Sequence, residues 1–244
     1  MKTVFLNCSP KKRFCASAYF LFLQRIFVGG EKVKEELRSS ADHARILEQI
    51  RDAQTVVFGL PLYVDGVPSH VLRFMQELET FCRENGLNLR VYCIANNGFI
   101  EGKQNEPLMQ VFEHFCTRSG LVCGGGVGIG GGVMLNVTRI LFIVDIALLV
   151  LNTLLSVLNT GNPFPREAWI SFAENAALLL FFNLGVLFYL ADMGRAIEKG
   201  VFFGKKYTRI LVPSFVFILF ADVFFIIVSI VEGGIFRGWL AKKE

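Results

Sequence analysis

Two long apolar segments in the second half of the chain limit its folding options more than any other feature. They run from residue 169 to 193 and from residue 210 to 231. Each is long enough to cross the hydrocarbon core of a bilayer, which is about 30 Å thick and takes about 20 helical residues. Asp222, inside the second segment, must face another helix or water, because a charge in lipid is costly. The sequence therefore predicts an all-α transmembrane region, a membrane helical hairpin over residues 161–244, with membrane lipid as a partner.

The segment 135–160, which precedes this hairpin, fits two interpretations. Its polar residues recur every seven positions and form one narrow stripe on an otherwise apolar helix: Thr138, Asp145, Asn152 and Asn159. Such an apolar helix can be the fifth helix of a sheet, which leaves two membrane spans, or it can itself be the first of three spans. The positive-inside rule narrowly favours three spans, because they keep the following basic residues on the side of the N-terminal half. These residues are Arg195, Lys199, Lys205, Lys206 and Arg209.

The N-terminal half has the composition of an ordinary soluble domain. The net charge of +4 for the whole chain is too small and too scattered for nucleic-acid binding, which we exclude. All six cysteines lie in this half without C-x-x-C spacing, which favours free thiols in a reducing cytoplasm over disulfides or an iron–sulfur cluster. The three histidines do not cluster, so no metal site is expected. We predict a cell-membrane protein whose N-terminal domain is cytoplasmic.

Short apolar runs alternate with helical patterns over the first 134 residues. The predicted strands are residues 3–7, 31–37, 56–58, 89–95 and 121–123. The predicted helices between them are residues 18–28, 42–52, 71–84 and 108–115. This alternation is typical of an α/β fold with a parallel sheet and helices on both faces. Five strands predict a flavodoxin-like, doubly wound five-stranded parallel sheet in the order 2-1-3-4-5.

Three loops follow the first, third and fourth predicted strands and therefore meet at one edge of the sheet, where open α/β sheets bind ligands. After the first strand, Cys8-Ser9-Pro10 and the basic residues 11–13 lead to Ser17 near the start of a helix. Such a loop offers amides, hydroxyls and positive charge to a phosphate, but it fits equally well a helix capped by Ser17 with a solvated basic turn. The loops 61–66 and 96–99 are the other two candidates for ligand contact.

A glycine-rich run, residues 124–132, follows the fifth predicted strand. Its composition fits a flexible linker. It also contains the apolar residues Val127 and Ile129 and follows a strand directly, so a close approach to a ligand or to neighbouring backbone is at least as well supported.

About the first 134 residues resemble the flavodoxin-like, NADPH-dependent FMN reductase family. The run from Cys8 to Ser17 is similar to the family's phosphate loop, residues 61–63 to its isoalloxazine loop, and residues 124–132 to a glycine-rich stretch of its bacterial branch. The resemblance implies FMN as the cofactor, with its phosphate held by Ser9, Lys11 and Ser17. The residues that it implies around the flavin ring are Pro61, Leu62, Tyr63, Val64, Asp65, Asn96, Asn97 and Gly98. Ala16 stands where the family often has Asn, which removes one polar phosphate contact.

The resemblance implies an FMN-dependent NAD(P)H oxidoreductase. FMN itself carries hydride and electrons, so the protein must fix the ring and keep one face open, and no acid–base pair is required. Tyr63 either stacks on the flavin or is a half-buried aromatic at the rim. With the apolar segments, this predicts a membrane-anchored reductase that takes electrons from NADPH or NADH and passes them to a quinone, flavin or protein acceptor. A homodimer is compatible with this prediction.

An alternative function needs no catalysis. A membrane protein could use a degenerate flavodoxin-like domain over residues 1–134 for docking or assembly, a hypothesis that Ala16 and the unusual glycine-rich run motivate. A transporter is disfavoured, because two or three spans without an internal repeat are too few for the known transporter architectures.

Overall fold

The computed structural model describes residues 1–12 and 14–231. The strands are β1 (Lys2–Asn7), β2 (Glu31–Glu36), β3 (Thr55–Pro61), β4 (Arg90–Asn96), β5 (Val122–Gly130) and β6 (Gly204–Arg209). The helices are α1 (Ala16–Ile26), α2 (His43–Ile50), α3 (Ser69–Glu84), α4 (Glu106–Ser119), α5 (Gly132–Thr160), α6 (Arg166–Lys199) and α7 (Ser214–Val231). The predictions for residue 13 and for the end of the membrane region beyond residue 231 lie outside the described residues.

All six strands are parallel and form one sheet in the order β2-β1-β3-β4-β5-β6. The predicted α/β class and the order of the first five strands are therefore confirmed. The predicted number of five strands is wrong, because β6 pairs with β5 along its whole length, from Gly125 opposite Gly204 to Gly130 opposite Arg209. Polar residues dominate β6, as is typical of an edge strand, so its sequence resembles a basic loop between two apolar segments.

The glycine-rich run is strand rather than linker. Most of it forms β5, which is three times as long as the predicted strand 121–123. Its glycines let neighbouring backbone approach closely: a Cβ atom on Gly130 would lie 2.6 Å from the amide nitrogen of Gly102, and one on Gly128 would lie 2.9 Å from the carbonyl oxygen of Gly102. The 3-10 turn Gly102–Asn105 packs across β5 and β6 for this reason.

The two faces of the sheet are covered by different sets of helices. On one face, α2, α3 and α4 bury a continuous apolar core that includes Phe58, Phe74 and Phe112. On the other face lie α1 and the C-terminal half of α6. The Tyr92 hydroxyl of β4 donates a hydrogen bond to the carbonyl oxygen of Val201 (2.8 Å) and lies 3.2 Å from that of Ala196, which fixes the end of α6 against the sheet.

The two long helices α5 and α6 pair with each other, with the rings of Phe142 and Phe172 stacked at 5.4 Å. The buried residues of α5 are confined to its first turn, whereas those of α6 begin at Asn183. Residues 137–182, which we call the projecting hairpin, therefore add little to the core of the sheet. The fifth helix that the sheet needs is supplied by the second half of α6.

Among the described residues, three helices, α5, α6 and α7, are long and apolar enough to cross a membrane, with mean hydropathies of 2.5, 1.9 and 2.7 over 18 residues of each. The predicted segment 210–231 begins its helix four residues late, at Ser214. Helix α7 belongs to a compact unit of its own that begins at Val212, apart from the unit Met1–Leu211 that holds the sheet.

All six cysteines lie in the described part of the chain, and there each is a free thiol, five of them buried. Cys123, at the start of β5, is half-buried. A hydrogen bond from the Cys116 thiol lowers the pKa of the Cys123 thiol to about 7, against the opposing effect of burial. Burial raises the pKa of Cys82 to about 11.

Cys123 is therefore expected to react with iodoacetamide at neutral pH. The thiolate is the reactive form, so its alkylation rate should rise with pH through a midpoint near 7. Cys116→Ala removes the hydrogen-bond donor and should move that midpoint up toward about 8.5, the value of a free cysteine. Mass spectrometry of the labelled peptide against pH measures both midpoints, with Cys82 as the unreactive internal control. A midpoint at 8.5 or above in the unsubstituted chain would contradict the assignment.

Candidate functional site

The three predicted loops meet at the carboxyl edge of the sheet and enclose one cleft of about 120 Å³. The sequence-predicted residues that line it are Ser9, Lys11, Ser17, Pro61, Leu62, Tyr63, Asn96, Asn97 and Gly98. Two predicted residues, Val64 and Asp65, do not line the cleft, because they form the exposed tip of a turn. Five lining residues were not predicted: Phe14, Cys15, Ala16, Val133 and Asn136.

The start of α1 forms the first wall of the cleft. Cys15 is the N-cap residue of α1, and its side chain makes no capping hydrogen bond. Ser17 lies inside the helix rather than at its cap, so the interpretation of Ser17 as a helix cap is wrong. The hydroxyl of Ser9 instead shapes the preceding loop, where it accepts a hydrogen bond from the Lys11 amide at 3.4 Å.

An anion is well suited to this position. The first amides of a helix lack intrahelical acceptors, and the helix dipole adds partial positive charge at the same end. Lys11 lines the cleft beside these amides and adds a full positive charge. The arrangement fits the phosphate loop that the family resemblance implies.

Asn96, at the end of β4, ties the three loops together. Its side-chain amide donates hydrogen bonds to the Ser17 hydroxyl at 2.9 Å and to the Leu60 carbonyl oxygen at 3.1 Å. Its own carbonyl oxygen accepts a hydrogen bond from the Leu62 amide at 2.8 Å. Because Asn96 is almost fully buried, these bonds fix the positions of the loops relative to one another.

Two further buried asparagines line the cleft, and the side-chain oxygen of each is an acceptor without a partner in the described part of the chain. Asn97 donates to the Glu101 carbonyl oxygen at 3.2 Å, and Asn136 donates to the Phe14 carbonyl oxygen at 2.6 Å. The Oδ1 atom of each has no hydrogen-bond partner among the described residues. A buried acceptor without a partner costs about 1–3 kcal/mol, so a ligand that donates N–H or O–H groups here would recover that energy.

Asn136 was missed by sequence reasoning because it begins an otherwise apolar segment. The signal that could have found it is its position, four residues after the last glycine of the run that ends β5. Every helix that follows a strand in a parallel sheet begins at the carboxyl edge, so the first turn of α5 belongs to the same edge as the three loops.

Tyr63 lies at the rim of the cleft and leads into a tight turn. Its amide and carbonyl groups exchange hydrogen bonds with those of Gly66, at 3.2 and 3.0 Å. Tyr63 is 41% exposed, and burial raises the pKa of its phenol, so the hydroxyl stays neutral at physiological pH. Part of the Tyr63 side chain is therefore accessible to a ligand in the cleft.

The two central residues of this turn, Val64 and Asp65, have φ angles of 46° and 54°. This is the geometry of a type I′ turn, which favours Asn and Gly, and a β-branched residue is strained there. Backbone strain of this kind is often found where a loop serves a ligand.

Val64→Asn is expected to stabilise the protein by about 1 kcal/mol, because asparagine adopts positive φ at lower cost than valine. For a chain of this size, that corresponds to a rise of about 2–4 °C in the thermal midpoint. Circular dichroism of the detergent-solubilised protein measures it, with Val64→Ala as the matched control that keeps most of the strain. An unchanged or lower midpoint for Val64→Asn would show that the turn is not strained.

The size of the cleft limits how it can hold FMN. A volume of about 120 Å³ is smaller than the roughly 300 Å³ at the lower end of small-molecule sites. Phe14, with φ of 50° and a side chain 60% exposed, forms part of the wall. The cleft therefore encloses one part of a nucleotide-sized ligand, and the rest lies in the open at the rim. The amide donors at the start of α1 suit the phosphate of FMN, and the unpaired side-chain oxygens of Asn97 and Asn136 suit the N–H and O–H donors of the same cofactor.

No protein-family model matches this sequence, and no curated protein matches it. The chain is similar to solved structures at low identity. The Trp repressor binding protein from Bacillus subtilis is 20% identical over 53% of this chain and 84% of its own, with a TM-score of 0.45. An NAD(P)H:quinone oxidoreductase from Methanothermobacter marburgensis is 13% identical over 57% and 92%, with a TM-score of 0.43. A flavone reductase is 8% identical over 84% and 66%, with a TM-score of 0.47.

Proposed function

We propose that this protein is a membrane-anchored, FMN-dependent NAD(P)H oxidoreductase that passes electrons to a quinone, flavin or protein acceptor. The observation that carries the proposal is the convergence of three loops on one cleft that joins an uncapped helix start to an aromatic rim. Membrane lipid and a nicotinamide nucleotide are its proposed partners. NADPH and NADH are both retained as donors.

The residues at the cleft have distinct roles in this proposal. Lys11, Ser9 and the first amides of α1 hold the phosphate, and Ser17 supports them through its bond to Asn96. Tyr63 and Leu62 hold one face of the flavin ring, while the free oxygen of Asn97 accepts a hydrogen bond from its polar edge. FMN, when bound, supplies the chemistry by taking a hydride from the nicotinamide and giving electrons to the acceptor.

The three apolar helices are the proposed membrane anchor. In this arrangement α5 leaves the cytoplasm, α6 returns to it, and α7 leaves again. The basic residues at the end of α6 and in β6 belong to the same compact unit as the sheet, as the positive-inside rule requires of a cytoplasmic domain. Residues 1–134 are the proposed FMN-binding portion, with the projecting hairpin inserted before the rest of the sheet.

Charge reversal at the phosphate position tests the proposal. Lys11→Glu is expected to weaken FMN binding at least about 10-fold, equivalent to about 1.4 kcal/mol, because it places a negative charge against the phosphate. Lys12→Glu is the matched control, since Lys12 is exposed next to Lys11 but does not line the cleft. Quenching of flavin fluorescence measures the affinity, and riboflavin, which has no phosphate, should bind both variants equally.

The same preparations separate this proposal from the non-catalytic alternative. The narrow cleft and Ala16 favour a domain that has lost its cofactor and serves for docking or assembly. That alternative predicts that the purified protein neither takes up FMN nor oxidises NADPH or NADH. Such a result would overturn the oxidoreductase proposal.

A further inference from the structure

Helix α6 extends along the sheet from its carboxyl edge to its opposite edge. At the carboxyl edge, the Phe182 carbonyl oxygen accepts a hydrogen bond from Leu211, two residues beyond the end of β6, at 3.4 Å. At the opposite edge, the Glu198 carboxylate accepts one from the amide of Gly29, two residues before β2 begins, at 2.8 Å. The rise from residue 182 to 198 is about 24 Å, comparable to the roughly 20 Å length of a six-residue strand. Helix α6 therefore runs antiparallel to the strands and spans the sheet from edge to edge.

The direction of the projecting hairpin follows from this placement. Helix α6 is continuous from Arg166 to Lys199, so its first part continues the same axis beyond the carboxyl edge. Helix α5 starts at that edge, directly after β5, and pairs with α6. The hairpin thus extends from the edge that carries the cleft, and Val133 and Asn136 at its base line the cleft.

The length of the hairpin leaves little space between the carboxyl edge of the sheet and a membrane. Residues 166–181 of α6 rise about 24 Å, and residues 137–160 of α5 rise about 36 Å. The far end carries the charged pair Arg166-Glu167 and the aromatic pair Phe164–Trp169, with ring centroids 6.0 Å apart, as at a membrane interface. If this end emerges from a core of about 30 Å, the near surface of the core lies within about 6 Å of the carboxyl edge, on one side of it when measured along α6 and on the other when measured along α5.

Several side chains at the carboxyl edge are apolar although they are exposed to solvent. Among the edge loops, Val64 is fully exposed, and Phe14 and Phe99 are each 60% exposed. Single exposed apolar residues need no explanation, and Ile26, Val201 and Phe202 at the opposite edge are exposed as well. Those of the edge loops differ in that they share the edge from which the hairpin leaves.

We propose that the carboxyl edge of the sheet lies in the membrane interface, with the tips of the edge loops at Val64 and Phe99 inserted among the lipids. The partner is the phospholipid bilayer itself. The cleft then opens into the headgroup region, so an acceptor dissolved in lipid reaches it without crossing water. This inference rests on the membrane anchoring in the proposed function, but it does not require FMN to be bound.

Fluorescence quenching in reconstituted vesicles tests this placement without any assay of activity. Three variants of the full chain, Val64→Cys, Phe99→Cys and Asn88→Cys, are each labelled with bimane at the new cysteine. Each labelled protein is then incorporated into phosphatidylcholine vesicles. Asn88 is exposed at the opposite edge of the sheet and is the matched control. Leu151→Cys, in the middle of α5, reports the anchoring itself. The unsubstituted chain, treated in the same way, gives the background from the native cysteines.

We expect nitroxide lipids labelled near the headgroup to quench the labels at 64 and 99 about threefold more than the label at 88, as for groups 5–10 Å inside an interface. Aqueous iodide should show the reverse order. Lipids with the nitroxide deep in the acyl chain are used for the label at 151. If they quench it while 64 and 99 behave like 88, the edge placement is overturned and the anchoring stands. If 151 is not quenched, the anchoring fails and the inference fails with it. Labels at 64 and 99 that are shielded from both quenchers would indicate a protein partner at this edge and also overturn the proposal.

Discussion

Removal of the projecting hairpin is expected to yield a folded, water-soluble α/β domain. The deletion joins Asn136 to Asn183 through a short Gly-Ser linker and ends the chain at Leu211. A fragment that ends at Met134, the boundary suggested by the family resemblance, is expected not to fold. The two proteins differ chiefly in whether they keep the second half of α6 and β6.

The physical reason is the apolar surface that α6 buries. Its fully buried side chains include Val186, Leu190, Met193 and Ile197. At about 1.5–3 kcal/mol for each, they contribute on the order of 6–12 kcal/mol. The net stability of a whole domain is only about 5–15 kcal/mol, so the sheet cannot lose this helix and remain folded.

Circular dichroism and gel filtration of the two proteins in the absence of detergent measure this difference. Leu190→Asp in the shortened protein is the matched control, because it buries a charge at the α6 contact and should unfold the domain while leaving the linker unchanged. Cooperative unfolding of a monomeric 1–134 fragment would refute the expectation and establish residues 1–134 as an independent domain.

Gly130→Ala is expected to destabilise the protein by about 3 kcal/mol, the upper end of the range for overpacking. The added Cβ atom would lie 2.7 Å from the carbonyl carbon of Glu101 and closer still to the carbonyl oxygen of Ile100. Both are backbone atoms and cannot rotate away. The loop that carries Asn97 and Gly98 must shift, so we also expect FMN affinity to fall at least about 10-fold.

Gly66→Ala is the matched control for this substitution. Gly66 is also near the cleft, but the nearest atom to its added Cβ, the Val64 carbonyl oxygen, is 3.8 Å away. Its effect on the free energy of unfolding should stay within about 0.5 kcal/mol. Denaturant unfolding and flavin titration of both variants measure these effects. Equal behaviour of the two would mean that the 3-10 turn does not pack on β5 as described.

The carboxyl-edge loops could be predicted because their signals are local. Each of the first strands is a short apolar run that ends in a turn and is followed by a helix, as in residues 55–69. The topology of a parallel sheet then brings such loops together without any knowledge of side-chain packing. Ser9, Tyr63 and Asn97 meet at one cleft for this reason.

The inner wall of the cleft depends on contacts between distant parts of the chain. Asn136 in that wall bonds to the backbone of Phe14, and outside the cleft the Tyr19 hydroxyl donates to Oδ1 of Asn183 at 3.1 Å. No periodicity connects residues so far apart in sequence. The positive φ angle of Phe14 could not be predicted either, because glycine and asparagine are the residues that usually indicate such an angle and neither stands at this position.

The local pattern of the amino acids was enough to establish the α/β class, the order of the first five strands and the apolar helices. Strand β6 and the course of β5 required the folded chain, because Gly125 pairs with Gly204 across a separation in sequence that contains the whole hairpin. The double role of α6 has the same origin. Its apolar residues could pack on a sheet or lie in a membrane equally well. Only the folded chain shows which half does which, because the second half of the helix packs against β5 and β6.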